Sequence, residues 1–319
     1  MKKFSLSVTD SEILKRNCLK LKHPITVDDF KFITNNHYAH STCLAMTKDW
    51  NLFIEFCQLK HVAVMPASTT VVRLFLEHVA RQRKYATVRR YSITISVMHQ
   101  LCGQNDPTNH NQVRKVLMQL RLDKHGDEKQ ATTFTVVHLN ELTKQMAHSD
   151  VIKDIRDLAI YYVMFECALK RGELKRMTAD LITDHDTHLS VLLGDAQYQL
   201  STNGSNALRN WLSVLDDDSG FIFRAINRHG TISDKALDDS SIYRIFRNAG
   251  ERLGEPQLKF SGQSTRIGAV KELAKQGYKA KEIQKFGRWL SPAMPYQYLG
   301  DKNTAEQEKI KFLKIKPWE

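Results

Sequence analysis

Long apolar runs are missing from this 319-residue sequence, and no window approaches the roughly 20 apolar residues of a membrane-crossing helix. The N-terminus, MKKFSLSVTDSEILKRN, carries lysines but no apolar stretch of signal-peptide length, so a cytoplasmic protein is expected. Cysteine is scarce. The five, at 18, 43, 57, 102 and 167, are odd in number and include no C-x-x-C pair. That pattern excludes a disulfide framework and reads as scattered core thiols in a reducing compartment. Acidic residues are the minority charge, 35 against 47 lysines and arginines, which leaves a net charge of +12. Such an excess favours a polyanionic partner, because each phosphate neutralised releases counterions. Metal-ligand spacing is also absent. Asp184-His185-Asp186-Thr187-His188 has a suggestive composition, but it precedes a strand as a polar turn and lacks the spacing of a zinc site. The 42 % apolar content and the chain length suit a globular protein with two cores.

What is present is mostly helix. Residues 1–24 are polar and basic with a weak helical pattern, and read as an arm or a frayed helix. Leu44, Trp50, Phe53, Ile54, Phe56 and Cys57 make an apolar stripe over residues 41–59. Pro66-Ala67-Ser68 opens another helix, with Val71, Val72, Phe75, Leu76 and Val79 inside. Arg81, Arg83, Lys84, Arg89 and Arg90 then fall within ten positions. Thr87 is placed to cap a helix whose buried face is Val88, Tyr91, Ile95 and Met98, which turns Arg89, Arg90 and Thr94 elsewhere, as a helix entering a DNA groove requires. For an arbitrary protein, a solvated basic surface explains this run equally well. Residues 112–122 form a further helix, and KHGDEKQATTF after it is charged, turn-rich and linker-like. Two helices follow over 134–146 and 150–168, the second apolar enough to be buried. Residues 188–193 alternate like a strand, with GDAQYQLST as the other arm of a hairpin.

The chemistry concentrates between Ser261 and Tyr298. Ile267, Val270, Leu273 and Ala274 repeat at helical spacing up to Gly277, and residues 280–286 form a second short helix closed by Gly287. Ser291-Pro292 reads as an N-cap followed by proline at the first helical position. Arg266, Trp289 and Tyr298 are thereby delivered to a helix start, a bend and a last helix. An arginine that grips a phosphate bidentately and a tyrosine that attacks it are what phosphotyrosyl transfer requires.

On these residues the sequence resembles the tyrosine site-specific recombinases, the phage integrase family. The family signature is His-x-x-Arg, then His or Trp, then the nucleophilic tyrosine; here stand Gln263-Ser264-Thr265-Arg266, Trp289 and, nine residues on, Tyr298. WNLFIEFCQLK, ALKRGEL, GDAQYQLSTNG and GFIFRAINRHG resemble family segments in the same order, so the likeness runs over about residues 40–312. It implies a mainly α fold with a small antiparallel β-sheet. A helical SAM-like core-binding domain (1–123), a linker (124–133) and a DNA breaking–rejoining catalytic domain (134–319) would together form a C-shaped clamp. It places Lys48, Arg81, Arg83, Lys84, Thr87, Arg89, Arg90, Arg121 and Lys124 among the DNA-binding residues. The implied partner is double-stranded DNA with an inverted-repeat site, bound by a homodimer that synapses to a homotetramer, with an accessory or related recombinase as a further partner. A C-terminal helix over 304–315, with Ile310, Phe312 and Leu313 apolar, would dock on the neighbouring subunit or fold back on its own. No cofactor or metal is implied.

The resemblance also exposes departures. The family's Leu-Arg-x-x-Glu-Leu becomes Leu169-Lys170-Arg171-Gly172-Glu173-Leu174, which aligns Lys170 with the phosphate-binding arginine beside Glu173 and leaves Arg171 as a register alternative. A lysine keeps the charge but loses the planar fork. Gln197 occupies the place of the general-acid lysine, and Gln263 that of the histidine. Glutamine hydrogen-bonds a phosphate oxygen but exchanges no proton at neutral pH, and missing acid–base help costs on the order of a hundredfold or more. The expectation is a recombinase that forms a 3′-phosphotyrosine on Tyr298, with attenuated or partner-dependent catalysis. The competing expectation is a recombinase-derived DNA-binding protein that no longer cuts.

Overall fold

The computed structural model describes residues 10–127, 130–215 and 220–314. The first nine residues of the basic arm, linker positions 128 and 129, and Ile315 lie outside these, as do the side chains of Phe312 and Leu313. The chain divides between residues 129 and 130 into two compact units. Among the described residues no helix is long and apolar enough to cross a membrane, and no three metal-type side chains cluster.

The first unit is all helical: α1 (Ser11–Lys20), α2 (Val27–Ile33), α3 (His40–Leu59), α4 (Thr69–Ala80), α5 (Tyr85–Leu101) and α6 (Asn111–Asp123). The expected frayed arm is a capped helix from Ser11, because the Asp10 carboxylate accepts the Glu12 amide at 2.8 Å. Helix α2 is not among the expected elements. Its signal is the capping box in which Thr26 and Asp29 satisfy each other's amides. Trp50, Phe53 and Phe75 are fully buried at the centre, Phe53 edge-on to Phe75 with centroids 5.1 Å apart, and the Trp50 indole donates to the Leu21 carbonyl. Leu44, expected in the stripe, is exposed. Two expectations on α5 are corrected. The helix begins two residues before Thr87, with Lys84 at its N-cap and no side-chain cap, so Thr87 lies inside the first turn. Thr94 does not share a solvent face with Arg89; it is buried and its hydroxyl donates to Asp49 Oδ2.

The second unit contains α7 (Val136–Met146), α8 (Ile152–Glu166), α9 (Arg171–Leu174), β1 (Ile182–Asp184), β2 (Leu189–Leu193), β3 (Ala196–Gln199), α10 (Thr202–Leu212), β4 (Arg224–Ile226), β5 (Ile232–Ala236), α11 (Asp239–Arg252), α12 (Gly262–Lys275), α13 (Ala280–Phe286), α14 (Ala293–Leu299) and α15 (Lys302–Lys314). Helix α8 is its axis. Every residue from Arg156 to Phe165 is buried: 158–165 as the apolar run demands, Arg156 and Asp157 as an ion pair at 2.7 Å, and the Tyr161 hydroxyl is satisfied by the Ile245 carbonyl at 2.8 Å. The hairpin expected over 188–202 is the β2–β3 pair, with Val191 opposite Tyr198, but its second strand ends at Gln199 because Ser201 caps α10; β1 adds a third antiparallel strand, and β4 and β5 form a separate ribbon. Gln130 and Thr133, read as linker, are hydrogen-bonded within this unit to the Tyr298 carbonyl and to Lys271. The capping role expected of Ser291 is not observed. Helix α14 begins at Ala293 with Pro292 at its N-cap and no side-chain cap, and Gly300 ends it at φ +94°.

Helix α12 lies so close to the segment before α7 that one residue must be glycine. Phe134 donates its amide to the Ser264 carbonyl at 3.1 Å, and a Cβ at Gly268 would lie 1.7 Å from the Phe134 carbonyl oxygen. Gly268→Ala is therefore expected to cost ~3 kcal/mol, since neither backbone segment has room to yield. A urea titration measures this, and a loss below about 1 kcal/mol would show that α12 does not press on Phe134.

Candidate active site

Helix α12 carries Gln263 and Arg266 one turn apart, the α13–α14 bend carries Trp289, and α14 carries Tyr298. These four side chains meet. The Gln263 amide donates to the Tyr298 hydroxyl at 3.3 Å, and the Tyr298 ring packs edge-on to Trp289 with centroids 5.8 Å apart. The Arg266 guanidinium lies over the same indole, 4.3 Å from its centroid, as a cation–π pair. Arg266 is buried, and its two terminal nitrogens donate to the carbonyls of Ala168 and Gly287. Burial pulls its pKa below the ordinary arginine value, while Glu173 and the Tyr298 phenol act against that. Gly287 makes the arrangement possible, because the Trp289 ring folds back to where a Cβ would sit, 1.7 Å away. Tyr298 is 5 % exposed and packs with Ile267, Val270 and Ile283. Gln263, by contrast, is exposed. Tyr296, two residues earlier, is half-buried.

The turn after α8 forms the other wall. Ala168 takes a left-handed backbone, φ +45°, and its carbonyl is the acceptor for Arg266. Lys170 stands at the N-cap of α9, its ammonium 3.4 Å from Glu173 and its side chain about half exposed. Arg171, the register alternative, is exposed, and its stem lies against Gly262, the residue before Gln263. Gln197 does not join the cluster. Its amide donates to Ser190 Oγ at 2.8 Å, and Ser190 is in turn 2.9 Å from the ring of His185, which stacks on His188. The polar loop around these histidines is tied down by Asp184, ion-paired to Arg209.

One residue of the site escapes the sequence reading. Arg288, next to Trp289, reaches under the end of α8 and forks onto both oxygens of Glu173, at 3.2 and 2.8 Å. It also donates to the carbonyls of Cys167, Ala168 and Phe286 and to the Tyr198 hydroxyl. Burial alone would raise the Glu173 carboxyl, but the Arg288 and Lys170 hydrogen bonds and charges outweigh it and hold the group below the usual glutamate range. By sequence, Arg288 is one more basic residue in a bend.

In the first unit, Lys48 on α3, Arg81, Arg83 and Lys84 before α5, Arg89 and Arg90 on α5, and Arg121 on α6 are exposed, while Thr87 and Lys124 are half-buried. Arg90 is not an independent cation. Its Nε and Nη2 clasp the buried Asp49 at 2.7 and 2.8 Å, and that hydrogen bonding raises its pKa further.

Comparison with known proteins finds relatives over most of the chain. The model of the phage integrase family matches residues 132–304, more than half of the chain. The recombinase Cre of Escherichia phage P1 is 23 % identical over 297 residues, covering 85 % of this chain and 86 % of that protein. An integrase/recombinase XerD homolog of Selenomonas ruminantium is 24 % identical over 290 residues, covering 85 % of each. Among solved structures, the XerH site-specific recombinase bound to a palindromic difH substrate, a post-cleavage complex, superposes with a TM-score of 0.63 at 12 % identity, covering 95 % of this chain and 89 % of that one.

Proposed function

This chain belongs to the phage integrase family, and on that premise we propose that it is a tyrosine recombinase that cuts and rejoins double-stranded DNA through Tyr298. The observation that carries the reading is the contact chain Gln263–Tyr298–Trp289–Arg266, which puts a phenol and a buried guanidinium against one indole within a single subunit. The Tyr298 oxygen would attack a backbone phosphorus, forming the O–P bond of a 3′-phosphotyrosine as the P–O5′ bond breaks. The phenolic proton leaves and the departing 5′ oxygen gains one. A free 5′ hydroxyl from a second duplex then reverses the step, and the phosphodiester energy is conserved in the adduct.

Preorganised charge commonly contributes more to such chemistry than any other effect, and Arg266, the Trp289 indole N–H and Lys170 or Arg171 are the groups suited to supply it. Proton transfer is the weak step, because Gln197 and Gln263 exchange none at neutral pH. A nucleophile only 5 % exposed favours the partner-dependent form of this activity, in which assembly on DNA uncovers the hydroxyl. The exposed cations of the first unit would track phosphates, and a homodimer on inverted arms, paired into a tetramer, is the assembly that strand exchange calls for.

A duplex carrying the target site and a nick beside the scissile phosphate tests the reading, since loss of the short leaving strand traps the adduct. A covalent protein–DNA band is expected; tight, site-specific binding with no band would make the chain a DNA-binding relative that no longer cuts. Because Gln263 already touches the phenol, Gln263→His is expected to accelerate adduct formation by about tenfold to a hundredfold, as a histidine there can accept the proton. No gain in single-turnover rate would mean that position 263 does not handle the proton.

A further inference from the structure

We propose that Arg288 is a positioning residue: it neutralises Glu173 and thereby leaves the Lys170 ammonium available to a substrate phosphate. Besides the charge of Arg266, which also feels this carboxylate, two cations pair with it directly, and they hold it unequally. Arg288 forks onto it, with Nη2 2.8 Å from Oε2, the range of a strong charge-assisted pair. Lys170 Nζ stands 3.4 Å from Oε1 on a side chain that is 52 % exposed, a loose association. What ties Lys170 closely to Glu173 is its backbone, since its amide donates to Oε2 at 2.8 Å. The peptide is anchored and the ammonium is left outward.

The backbone shows why Arg288 can do this. A non-glycine residue at φ +55° is uncommon, and here the left-handed turn directs the side chain back beneath the end of α8. There it finds the carbonyls of Cys167 and Ala168, and the Ala168 oxygen is shared with Arg266. The Tyr198 ring supports the guanidinium from β3, 5.0 Å away. Arg288 thus links β3, the α8–α9 turn and the α13–α14 bend around one acceptor that Arg266 also uses. Without it, a half-buried carboxylate would lack its strong partner, and the nearest replacement is the Lys170 ammonium. A lysine drawn onto Glu173 is withdrawn from substrate.

The inference rests on the recombinase reading for the identity of the substrate, but the state of Lys170 is measurable without cleavage. In the full-length protein, acylation of Lys170 by an N-hydroxysuccinimide acetate, followed by mass spectrometry, is expected to slow about tenfold in Arg288→Met, because an amine held in an ion pair reacts less than a free one. Adduct formation on the nicked duplex is expected to fall at least about tenfold. Arg288→Met combined with Glu173→Gln is expected to restore both rates toward wild type, since glutamine keeps the oxygen that accepts the Lys170 amide but has no charge to capture the ammonium. Arg288→Lys retains the charge and is expected to keep Lys170 reactive, which covers the case of a poorly folded methionine variant. Unchanged Lys170 labelling in Arg288→Met, or a double variant no better than the single, overturns the proposal. A wild-type protein that forms no adduct while the labelling pattern appears as described would sink the recombinase reading and leave the Arg288 inference standing.

Discussion

Tyr298→Phe is expected to lower covalent adduct formation by at least about 10⁴-fold while duplex binding stays as it was. The variant is a sharp probe because so little else changes. The ring is packed with Ile267, Val270 and Ile283 and edge-on to Trp289, contacts that phenylalanine keeps. Only the hydroxyl is lost, and its partner, the Gln263 amide, is exposed and can turn to water, so stability should shift by no more than about 1 kcal/mol. Quench-flow or gel assays of the nicked duplex give the rate, and mobility shift gives the affinity. An adduct that survives in Tyr298→Phe and disappears in Tyr296→Phe would reassign the nucleophile.

The second large effect is expected at Arg266. Arg266→Lys should slow the single-turnover rate by about 10²–10³-fold, the usual cost of removing a preorganised donor from a developing oxyanion. Charge is conserved in that variant, so the loss isolates geometry. A planar guanidinium can donate to the Ala168 and Gly287 carbonyls and lie over the Trp289 ring at the same time; a compact ammonium cannot do all three. Ala168 keeps Arg288 as a donor, but leaving the Gly287 carbonyl without one should also cost about 1–3 kcal/mol of stability, read from the urea midpoint. A lysine variant as fast as wild type would show that bidentate recognition is not used, and the phosphate-gripping role of Arg266 would go with it.

Much of the architecture is visible in the chain itself. The stripe at Trp50, Phe53, Ile54 and Phe56 is the buried face of α3, and the apolar run of 158–165 is the buried axis of the second unit. The spacing of Arg266, Trp289 and Tyr298 survives as a single cluster. Caps and faces are less legible. Thr87 and Ser291 have capping chemistry but miss the N-cap, Thr87 lying in the first turn of α5 and Ser291 just ahead of Pro292, and Thr94 has the periodicity of a solvent face but turns to a buried aspartate. Helix α2 is hard to see although its capping box is readable, because its seven residues are too short to show a period.

Residue identity and helical period are local properties, so the sequence alone could determine the helices and the order in which an arginine, an indole and a phenol arrive. Which cation faces a carboxylate and which faces solvent is settled by pairings between distant segments. Asp49 and Arg90 are 41 positions apart, and Glu173 and Arg288 are 115 apart. Nothing in either neighbourhood announces the other. Only after the α13–α14 bend meets the end of α8 does Arg288 become part of the site, and only after β2 and β3 pair does Gln197 settle on Ser190, away from the phenol and guanidinium. Tertiary packing made that choice, because an ion pair or hydrogen bond forms where the fold brings donor and acceptor within about 3 Å, whatever their separation along the chain.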